Sequence, residues 1–267
     1  MNRRLENTLA TLRRDGRTGL AAYLVAGDPD PETTLRAMVV LVESGVRLLE
    51  IGMPFSDPVA DGFVVAQAHG RALRGGMTMG GTMELVARFR RTDRTTPVVL
   101  MGYVNPVLTV GADTFFEAAA MSGADGAILV DVPLEHAGPF RDAAHRHALS
   151  FVPLWAPTAS TRREKQILST ADTFVYLVSR TGITGGSTID LDAVKERAGR
   201  ARREHGVGLA AGFGIREPAQ VASLARSVDL VVVGSRFVEI LAAKGDDGIE
   251  ELGCVAKGLV GALVDAS

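Results

Sequence analysis

Residues 20–51 read LAAYLVAGDPDPETTLRAMVVLVESGVRLLEI, and the fold is predicted from this stretch outward. Two apolar runs of strand length, Leu20–Val25 and Leu48–Ile51, flank a longer segment with helical periodicity. The helical segment ends near Gly45, which can take the left-handed conformation of a helix cap before the next strand. Runs that are apolar on both faces need cover on both faces, which a parallel sheet with intervening helices provides.

The same alternation of apolar runs and helical stretches continues almost from end to end, and it predicts a (β/α)8 TIM barrel. The predicted strands are Leu20–Val25, Leu48–Ile51, Val98–Met101, Ala127–Val130, Phe151–Leu154, Phe174–Val178, Val207–Ala211 and Leu230–Val233. We expect one domain over residues 1–267, with a helix in the first 15 residues that plugs the lower end of the barrel. A doubly wound sheet is the competing fold, but Gly212-Phe213-Gly214 lacks the third glycine of a dinucleotide turn.

Charge and composition exclude several classes of protein. The chain has 267 residues, 29 of them basic and 31 acidic, so there is no excess of cations for general binding to nucleic acid or acidic membranes. Cys254 is the single cysteine, which excludes a disulfide within the chain. No apolar run approaches the roughly 20 residues of a membrane span, and the N-terminus lacks the apolar core of a signal peptide. These features predict a soluble cytoplasmic protein.

The segments that follow the predicted strands carry the unusual residues, at the end of a barrel where active sites lie. Two glycine-containing turns, 212–214 and 234–235, follow the last two strands, where barrels often hold a phosphate. Backbone amides at glycines and the start of a short helix at Ser235 would attract the anion. Plain turns would use the same glycines, and Arg236 is equally consistent with an added cation or a solvated side chain.

Glu50 stands inside the apolar second strand, where an ionised carboxylate without partners costs several kcal/mol. Desolvation raises the proton affinity of a carboxylate toward neutral pH, which suits a proton carrier. A satisfied buried ion pair is the alternative. Asp57 and Asp61 in the following loop could be ordinary turn or capping residues, or one of them could supply a second carboxylate beside Glu50.

Other mechanisms lack the residues they need. The four lysines, Lys165, Lys195, Lys244 and Lys257, fall outside the predicted strand ends, which disfavours a Schiff-base aldolase. The five histidines, His69, His136, His145, His147 and His205, do not cluster at strand ends, which disfavours a metal site. Cleavage of a carbon–carbon bond would therefore need a substrate that supplies its own electron sink.

Residues 49–62, LEIGMPFSDPVADG, closely resemble the signature of tryptophan synthase alpha subunits. Further blocks agree with that family in order: Tyr23–Pro29, Leu100–Pro106, Asp131–Pro133, Ala156–Thr158, Phe174–Gly185 and Gly212–Ile215. The resemblance covers residues 17 to 240 and implies a (β/α)8 barrel that cleaves indole-3-glycerol phosphate to indole and glyceraldehyde 3-phosphate. It implies no cofactor or metal in this chain, and a pyridoxal phosphate beta subunit as the partner in an α2β2 assembly.

The resemblance also assigns roles to single residues. Glu50 would move the protons, Asp61 would accept the indole N–H, and Tyr176 would sit beside Glu50. The implied phosphate ligands are Gly185, Phe213, Gly214, Gly234 and Ser235, and the indole would contact Leu100 and Phe213. Thr184 belongs to the family's lid, and Asp57, Pro58, Asn105 and Asp131 lie on its beta-subunit interface.

Departures from the family pattern affect the interface loop more than the acids. Phe63, Val65 and Ala66 replace the usual proline, isoleucine and glutamine, while Val25, Trp155 and Arg236 replace a threonine, an aliphatic residue and an alanine. A stand-alone lyase that releases indole for specialised metabolism, and a non-catalytic activator of a beta subunit, stay open as alternatives. A phosphosugar isomerase would rest on the fold alone.

Overall fold

The structure is a computed structural model that describes residues 3–156, 158–178, 191–212 and 214–266. The strand pairings in this part of the chain are all parallel. The strands are β1 Gly19–Val25, β2 Leu48–Gly52, β3 Val98–Gly102, β4 Gly126–Leu129, β5 Ser150–Phe151, β6 Leu154–Trp155, β7 Phe174–Val178, β8 Gly208–Gly212 and β9 Leu230–Val233.

The sheet closes on itself through its two shortest strands. Its order is β5-β4-β3-β2-β1-β9-β8-β7-β6, so the two ends of the sheet are consecutive in the chain. The Val152 N–H donates to Ala127 O on the β4 side, and Pro153 O accepts from the Tyr176 N–H on the β7 side. β5 and β6 are therefore two halves of one barrel strand, which confirms the predicted (β/α)8 architecture.

The predicted fifth strand, Phe151–Leu154, is wrong in its middle. Proline has no backbone N–H to donate to a neighbouring strand, so the ladder is interrupted at Pro153 and resumes at Leu154. The other predicted strands agree with the observed ones to within one residue at each end.

Helices follow the strands and cover the outside of the sheet. They are α1 Arg3–Arg14, α2 Pro31–Glu43, α3 Phe63–Arg74, α4 Met79–Phe89, α5 Val104–Val110, α6 Ala112–Ser122, α7 Gly138–Arg146, α8 Thr161–Thr170, α9 Leu191–His205, α10 Pro218–Ser223, α11 Ser235–Lys244 and α12 Ile249–Asp265. Short 3-10 turns cover Leu134–His136 and Gly245–Gly248. Gly45 and Gly123 follow helices with φ of +98° and +89°, as predicted for glycine caps.

The predicted N-terminal helix is confirmed as α1, and it lies across the amino ends of the strands. Arg4 bonds to Asp125 at 2.7 Å, directly before β4, and Arg13 bonds to Asp229 at 2.8 Å, directly before β9. The apolar side chains of α1, at Leu5, Leu9 and Leu12, are buried. The opposite end of the barrel, at the carboxyl ends of the strands, is left to the loops that carry the predicted site. No helix among the described residues combines the length and the apolar character that crossing a membrane requires.

Candidate active site

The barrel brings Tyr176 of β7 to Glu50 and Tyr23, which lie on the neighbouring strands β2 and β1. Glu50 is in register with Tyr23 of β1, so their side chains share one face of the sheet. The register runs from Tyr176 through aligned residues of β8 and β9 to Gly19 of β1. Gly19 and Tyr23 are an even number of residues apart, and side chains alternate along a strand, so Tyr176 lies on the same face of the sheet as Tyr23. β2 and β7 are separated by three strands on one side, yet the charge of Glu50 raises the pKa of Tyr176. These side chains therefore meet inside the barrel.

Glu50 is fully buried, and neither of its carboxylate oxygens has a hydrogen-bond partner among the described residues. Burial disfavours the charged form, and this desolvation raises the pKa of Glu50 to about 8. The alternative of a satisfied buried ion pair is thus not found in this part of the chain. At neutral pH the side chain is mainly the protonated acid, in a site where a proton can be given and taken back.

Two tyrosines flank Glu50 at the carboxyl end of the barrel. Burial, followed by nearby negative charge, raises the pKa of both Tyr23 and Tyr176 well above the ordinary value, so both hydroxyls stay protonated. Each hydroxyl lies over a strand-end glycine: a Cβ would come within 2.3 Å of the Tyr23 hydroxyl at Gly52 and 2.1 Å of the Tyr176 hydroxyl at Gly212. Glycine at these positions leaves the room that the tyrosines occupy.

Asp61 lies in the loop after β2, and its Oδ2 atom has two neighbours that can donate to it. The Tyr103 hydroxyl donates to Oδ2 at 2.7 Å and accepts from the Ala60 N–H at 3.0 Å. The Nε2 atom of His69 lies 3.4 Å from the same oxygen. The charge of Asp61 raises the pKa of both Tyr23 and Tyr176. The two predicted carboxylates therefore belong to one cluster.

The predicted phosphate ligands near β9 lie beside this cluster. α11 begins at Ser235, as predicted, with Gly234 at its N-cap and no side-chain cap on its first N–H groups. A Cβ at Gly234 would come within 3.1 Å of the Tyr23 side chain, so the helix start lies against the site. Gly214 has a φ of +63° and is exposed. The Arg236 guanidinium lies 3.8 Å from Glu251 of α12, which gives it a carboxylate partner away from the predicted anion.

Three other predicted positions lie outside the described residues. They are Gly185 and Phe213 of the phosphate and indole sites, and Thr184 of the lid.

Leu100 is not brought to the site. The register aligns it with Ile51 and Ala127, and since Ile51 follows Glu50 in β2, Leu100 points to the opposite face of the sheet from Glu50. The expectation that Leu100 contacts the indole is therefore corrected. Met101, aligned with Gly52, is the β3 residue on the same face as Glu50, and it is partly exposed.

The four predicted interface residues follow the carboxyl ends of β2, β3 and β4, three of them in loops and Asn105 in the first turn of α5. Asp57, Asn105 and Asp131 are exposed and Pro58 is half-buried. Asp131 also accepts a 2.8 Å bond from the Val104 N–H, and so holds the first turn of α5 directly after Tyr103. Val59 and Phe63, from the same loop and the start of α3, are 82% and 77% exposed.

Tyr23, His69 and Tyr103 belong to the cluster, although sequence patterns assigned no role to them. Tyr23 and Tyr103 fall in sequence blocks that resemble the family. The signal that could have identified them is a hydroxyl within or directly after an otherwise apolar strand. His69 comes from α3, whose buried residues Val65, Ala68, His69 and Ala72 form one helical stripe. The sequence signal for His69 was its polar ring within an otherwise apolar helical stripe, because a buried polar ring needs a hydrogen-bond partner.

Known proteins resemble this chain in sequence and in fold. The family model for the tryptophan synthase alpha chain matches residues 9–259. The tryptophan synthase alpha chain of Caulobacter sp. strain K31 is 44% identical over 90% of this chain and 87% of its own, and that of Acidiphilium cryptum is 41% identical over 98% and 94%.

Solved structures agree with this match. Tryptophan synthase subunit alpha from Legionella pneumophila is 34% identical over 99% of both chains, with a TM-score of 0.89. A chain from the tryptophan synthase α2β2 complex of Pyrococcus furiosus is 37% identical over 92% of this chain and 98% of its own, with a TM-score of 0.82. Because the match in sequence and fold extends over nearly the whole chain, the chain belongs to the tryptophan synthase alpha chain family.

Proposed function

We propose that this chain cleaves indole-3-glycerol phosphate to indole and glyceraldehyde 3-phosphate. The observation that carries the proposal is the fully buried Glu50, which has no hydrogen-bond partner among the described residues and lies in the same cluster as Asp61. The pair supplies an acid that can exchange a proton and a carboxylate that can stabilise positive charge, which are the two groups this reaction needs.

The cleavage balances with Glu50 as the only proton carrier. Protonated Glu50 gives its proton to C3 of the indole ring, which leaves the ring with an iminium-like positive charge. The hydroxyl on the adjacent side-chain carbon then loses its proton to the Glu50 carboxylate. As that carbon becomes an aldehyde, the bond to C3 breaks and its electrons return to the ring. Glu50 regains its proton, and no external acid, base or oxidant is consumed.

Asp61 would accept the indole N–H and stabilise the charge on the ring nitrogen. Its Oδ2 is already used by Tyr103 and faces His69, whereas no hydrogen bond to Oδ1 is found among the described residues. Oδ1 is thus the oxygen free to receive the N–H. A fixed carboxylate at the point where positive charge develops stabilises the transition state more than the neutral ground state.

The substrate phosphate would lie at the start of α11. Its first N–H groups lack a side-chain cap, and the helix dipole adds positive potential at Gly234 and Ser235. Gly214 adds a backbone that can approach an anion closely. Since Gly234 packs on Tyr23, a phosphate bound here would place the rest of the substrate toward Glu50.

We expect the rate of cleavage to depend on the protonation of Glu50. Its pKa is about 8, and the reaction begins from the acid form, so kcat/KM should be constant below this pH and fall above it. The nearby Tyr23 and Tyr176 stay protonated throughout, because their pKa values are raised further above 10. Steady-state rates from pH 6 to about pH 9.5 would test this, and kcat/KM that rises through pH 8 would contradict the order of the two proton transfers.

A beta subunit with pyridoxal phosphate is the proposed partner, in an α2β2 assembly like that of the Pyrococcus furiosus relative. Asp57, Pro58, Asn105 and Asp131 would contribute to the surface it covers. We also propose that the whole chain forms one barrel domain. The proposed role is that of a biosynthetic enzyme, and the proposed location is the cytoplasm.

Replacing Phe63 with Asp should weaken binding of the beta subunit by about tenfold or more. Phe63 is 77% exposed beside the proposed interface residues, and a large apolar side chain buried by a partner commonly contributes 1–2 kcal/mol or more. Met121→Asp is the matched control, since Met121 is 83% exposed at the end of α6, near the amino ends of the strands. Titration calorimetry with the beta subunit would measure both, and equal affinities of the two variants would contradict the assignment of this surface.

The direct test of the function is an indole-release assay on the purified chain, with and without a beta subunit. We expect indole from indole-3-glycerol phosphate alone, faster release with the beta subunit, and tryptophan when serine is added. Release that is unchanged by the beta subunit would instead support a stand-alone lyase. If no indole formed in either case, the catalytic function would be rejected in favour of a non-catalytic activator.

A further inference from the structure

We propose that His69 is a positioning residue that holds Asp61 with one oxygen directed at the indole N–H. The proposal rests on the cleavage reaction proposed above and adds a residue that the sequence patterns did not assign. It starts from the hydrogen bonds of the imidazole ring, which is 1% exposed and lies on the buried face of α3.

The hydrogen bonds of the ring determine which nitrogen carries the proton. Nδ1 of His69 accepts the Phe55 backbone N–H at 3.2 Å. A backbone N–H can only donate, so Nδ1 carries no proton, and the ring is the neutral form with its proton on Nε2. The 3.4 Å contact between His69 and Asp61 therefore joins a neutral N–H group to the carboxylate and is not an ion pair.

The Nε2–H group has two possible acceptors in the cluster. Asp61 Oδ2 is 3.4 Å away and the Tyr23 hydroxyl is 3.5 Å away. Both distances are long for hydrogen bonds, so each contact is weak in this structure. The carboxylate is the stronger acceptor, because its charge strengthens the bond.

A second potential donor thus lies beside the oxygen of Asp61 that Tyr103 already holds. Tyr103 approaches Oδ2 from the end of β3 and His69 approaches it from α3. The carboxylate is planar, so holding Oδ2 from two directions also directs Oδ1. The Tyr103 ring is itself held by stacking on Phe55, at 4.8 Å between centroids, and Phe55 is the residue that donates to His69. The loop after β2 therefore carries Asp61 and also Phe55, which contacts both Tyr103 and His69.

Substitution of His69 by asparagine or by glutamine tests the contacts of Nδ1 and Nε2 one at a time. The amide oxygen of Asn reaches roughly the position of Nδ1 and can still accept the Phe55 N–H, but it cannot reach Asp61. The amide nitrogen of Gln reaches roughly the position of Nε2 and can still donate to Asp61. If His69 acts through Asp61, His69→Gln should retain function and His69→Asn should lose it.

The test uses two phosphate esters that cannot be cleaved because they lack the side-chain hydroxyls: one carries an indole ring and the other a benzofuran ring without the N–H. We expect His69→Asn to weaken binding of the indole ester about tenfold, the range for losing a hydrogen bond to a charged group, and to leave the benzofuran ester unchanged. His69→Gln should stay within about threefold of the unmodified chain. Partial unfolding would weaken binding of both esters by the same factor, so it does not imitate a loss confined to the indole ester.

His205→Asn, at the end of α9, is the control for exchanging a histidine elsewhere, and it should bind both esters normally. In the Asp61→Asn background, His69→Asn should have no further effect on the indole ester. Equal weakening of both esters by His69→Asn, or no weakening of either, would overturn the positioning role. If the unmodified chain neither binds the indole ester nor releases indole, the proposed function itself fails.

Discussion

Replacing Glu50 with Gln is expected to lower the rate of indole release by about 10²- to 10⁴-fold, the usual contribution of a proton-transferring side chain. Gln keeps the shape of the side chain but can neither give a proton to the ring nor accept one from the hydroxyl. The assay is indole release at saturating substrate, with binding of the uncleavable indole ester measured beside it. We expect binding to be retained, because Glu50 acts on the reacting atoms and does not hold the phosphate.

The same substitution should make the fold more stable at alkaline pH. The unfolded carboxyl has an ordinary pKa of 4.5 and the folded one about 8, so between these values the folded chain holds one more proton than the unfolded chain. The stability of the unmodified chain therefore falls as pH rises from about 4.5 to about 8. Gln does not titrate, so the free energy of unfolding gained by Glu50→Gln should be larger at pH 8 than at pH 5, by on the order of 3 kcal/mol.

Urea unfolding at the two pH values measures this difference, and Glu164→Gln is the matched control. Glu164 is also buried, but its carboxylate lies 2.8 Å from the Arg200 guanidinium, so its neutralisation should not stabilise the fold. If Glu50→Gln raised the free energy of unfolding equally at both pH values, burial would not be keeping the Glu50 carboxyl protonated. Loss of stability together with loss of activity would mean that Glu50 is a structural residue.

Replacing Asp125 with Ala is expected to reduce the free energy of unfolding by about 3–5 kcal/mol, the usual cost of removing one partner from a buried ion pair. The Asp125 carboxylate is fully buried and accepts from Arg4 and Arg90 at 2.7 Å each and from the Val98 N–H at 2.8 Å. Without it, the guanidinium of Arg90 stays buried beside an apolar methyl group. Burial already lowers the pKa of Arg90 to about 10, which shows how poorly solvated this cation is.

Chemical unfolding of Asp125→Ala, beside Asp142→Ala as an exposed control, tests this anchor. Asp142 lies on α7 with a side chain 64% exposed, and its removal should change stability by less than about 0.5 kcal/mol. A loss below about 1 kcal/mol at Asp125 would mean that water replaces the carboxylate. Asp229 makes the same connection from α1 to β9, through Arg13 and the Leu209 N–H, so a similar loss is expected there.

The barrel could be predicted because its signals are local. Strand-length apolar runs, helical periodicity and capping glycines such as Gly45 and Gly123 each depend on a few neighbouring residues, and their regular recurrence leaves few alternatives. The interruption at Pro153 was also visible in the sequence, since proline cannot donate to a ladder, but it lay within a run that was otherwise apolar. The helix start at Ser235 followed from the preceding glycine in the same local way.

The faces of the strands and the contacts of the site were harder to predict. Leu100 sits in a family-like block, yet which side of β3 it takes depends on its register with β2, and a shift of one residue reverses the face. The role of His69 depends on a loop nitrogen 14 residues earlier in the chain, and no periodicity within α3 reports that bond.

The sequence by itself determined the repeated strand–helix order and the presence of a carboxylic acid in an apolar strand, because periodicity and the cost of desolvating a charge are properties of short segments. Only the tertiary structure decided that Glu50 lies near Tyr176 with no hydrogen-bond partner in the part of the chain that the structure describes, that Tyr103 holds one oxygen of Asp61, and that α1 is fastened to Asp125 and Asp229. The physical reason is closure of the sheet: it brings together side chains from distant strands, and their distances follow from the packing of the whole barrel.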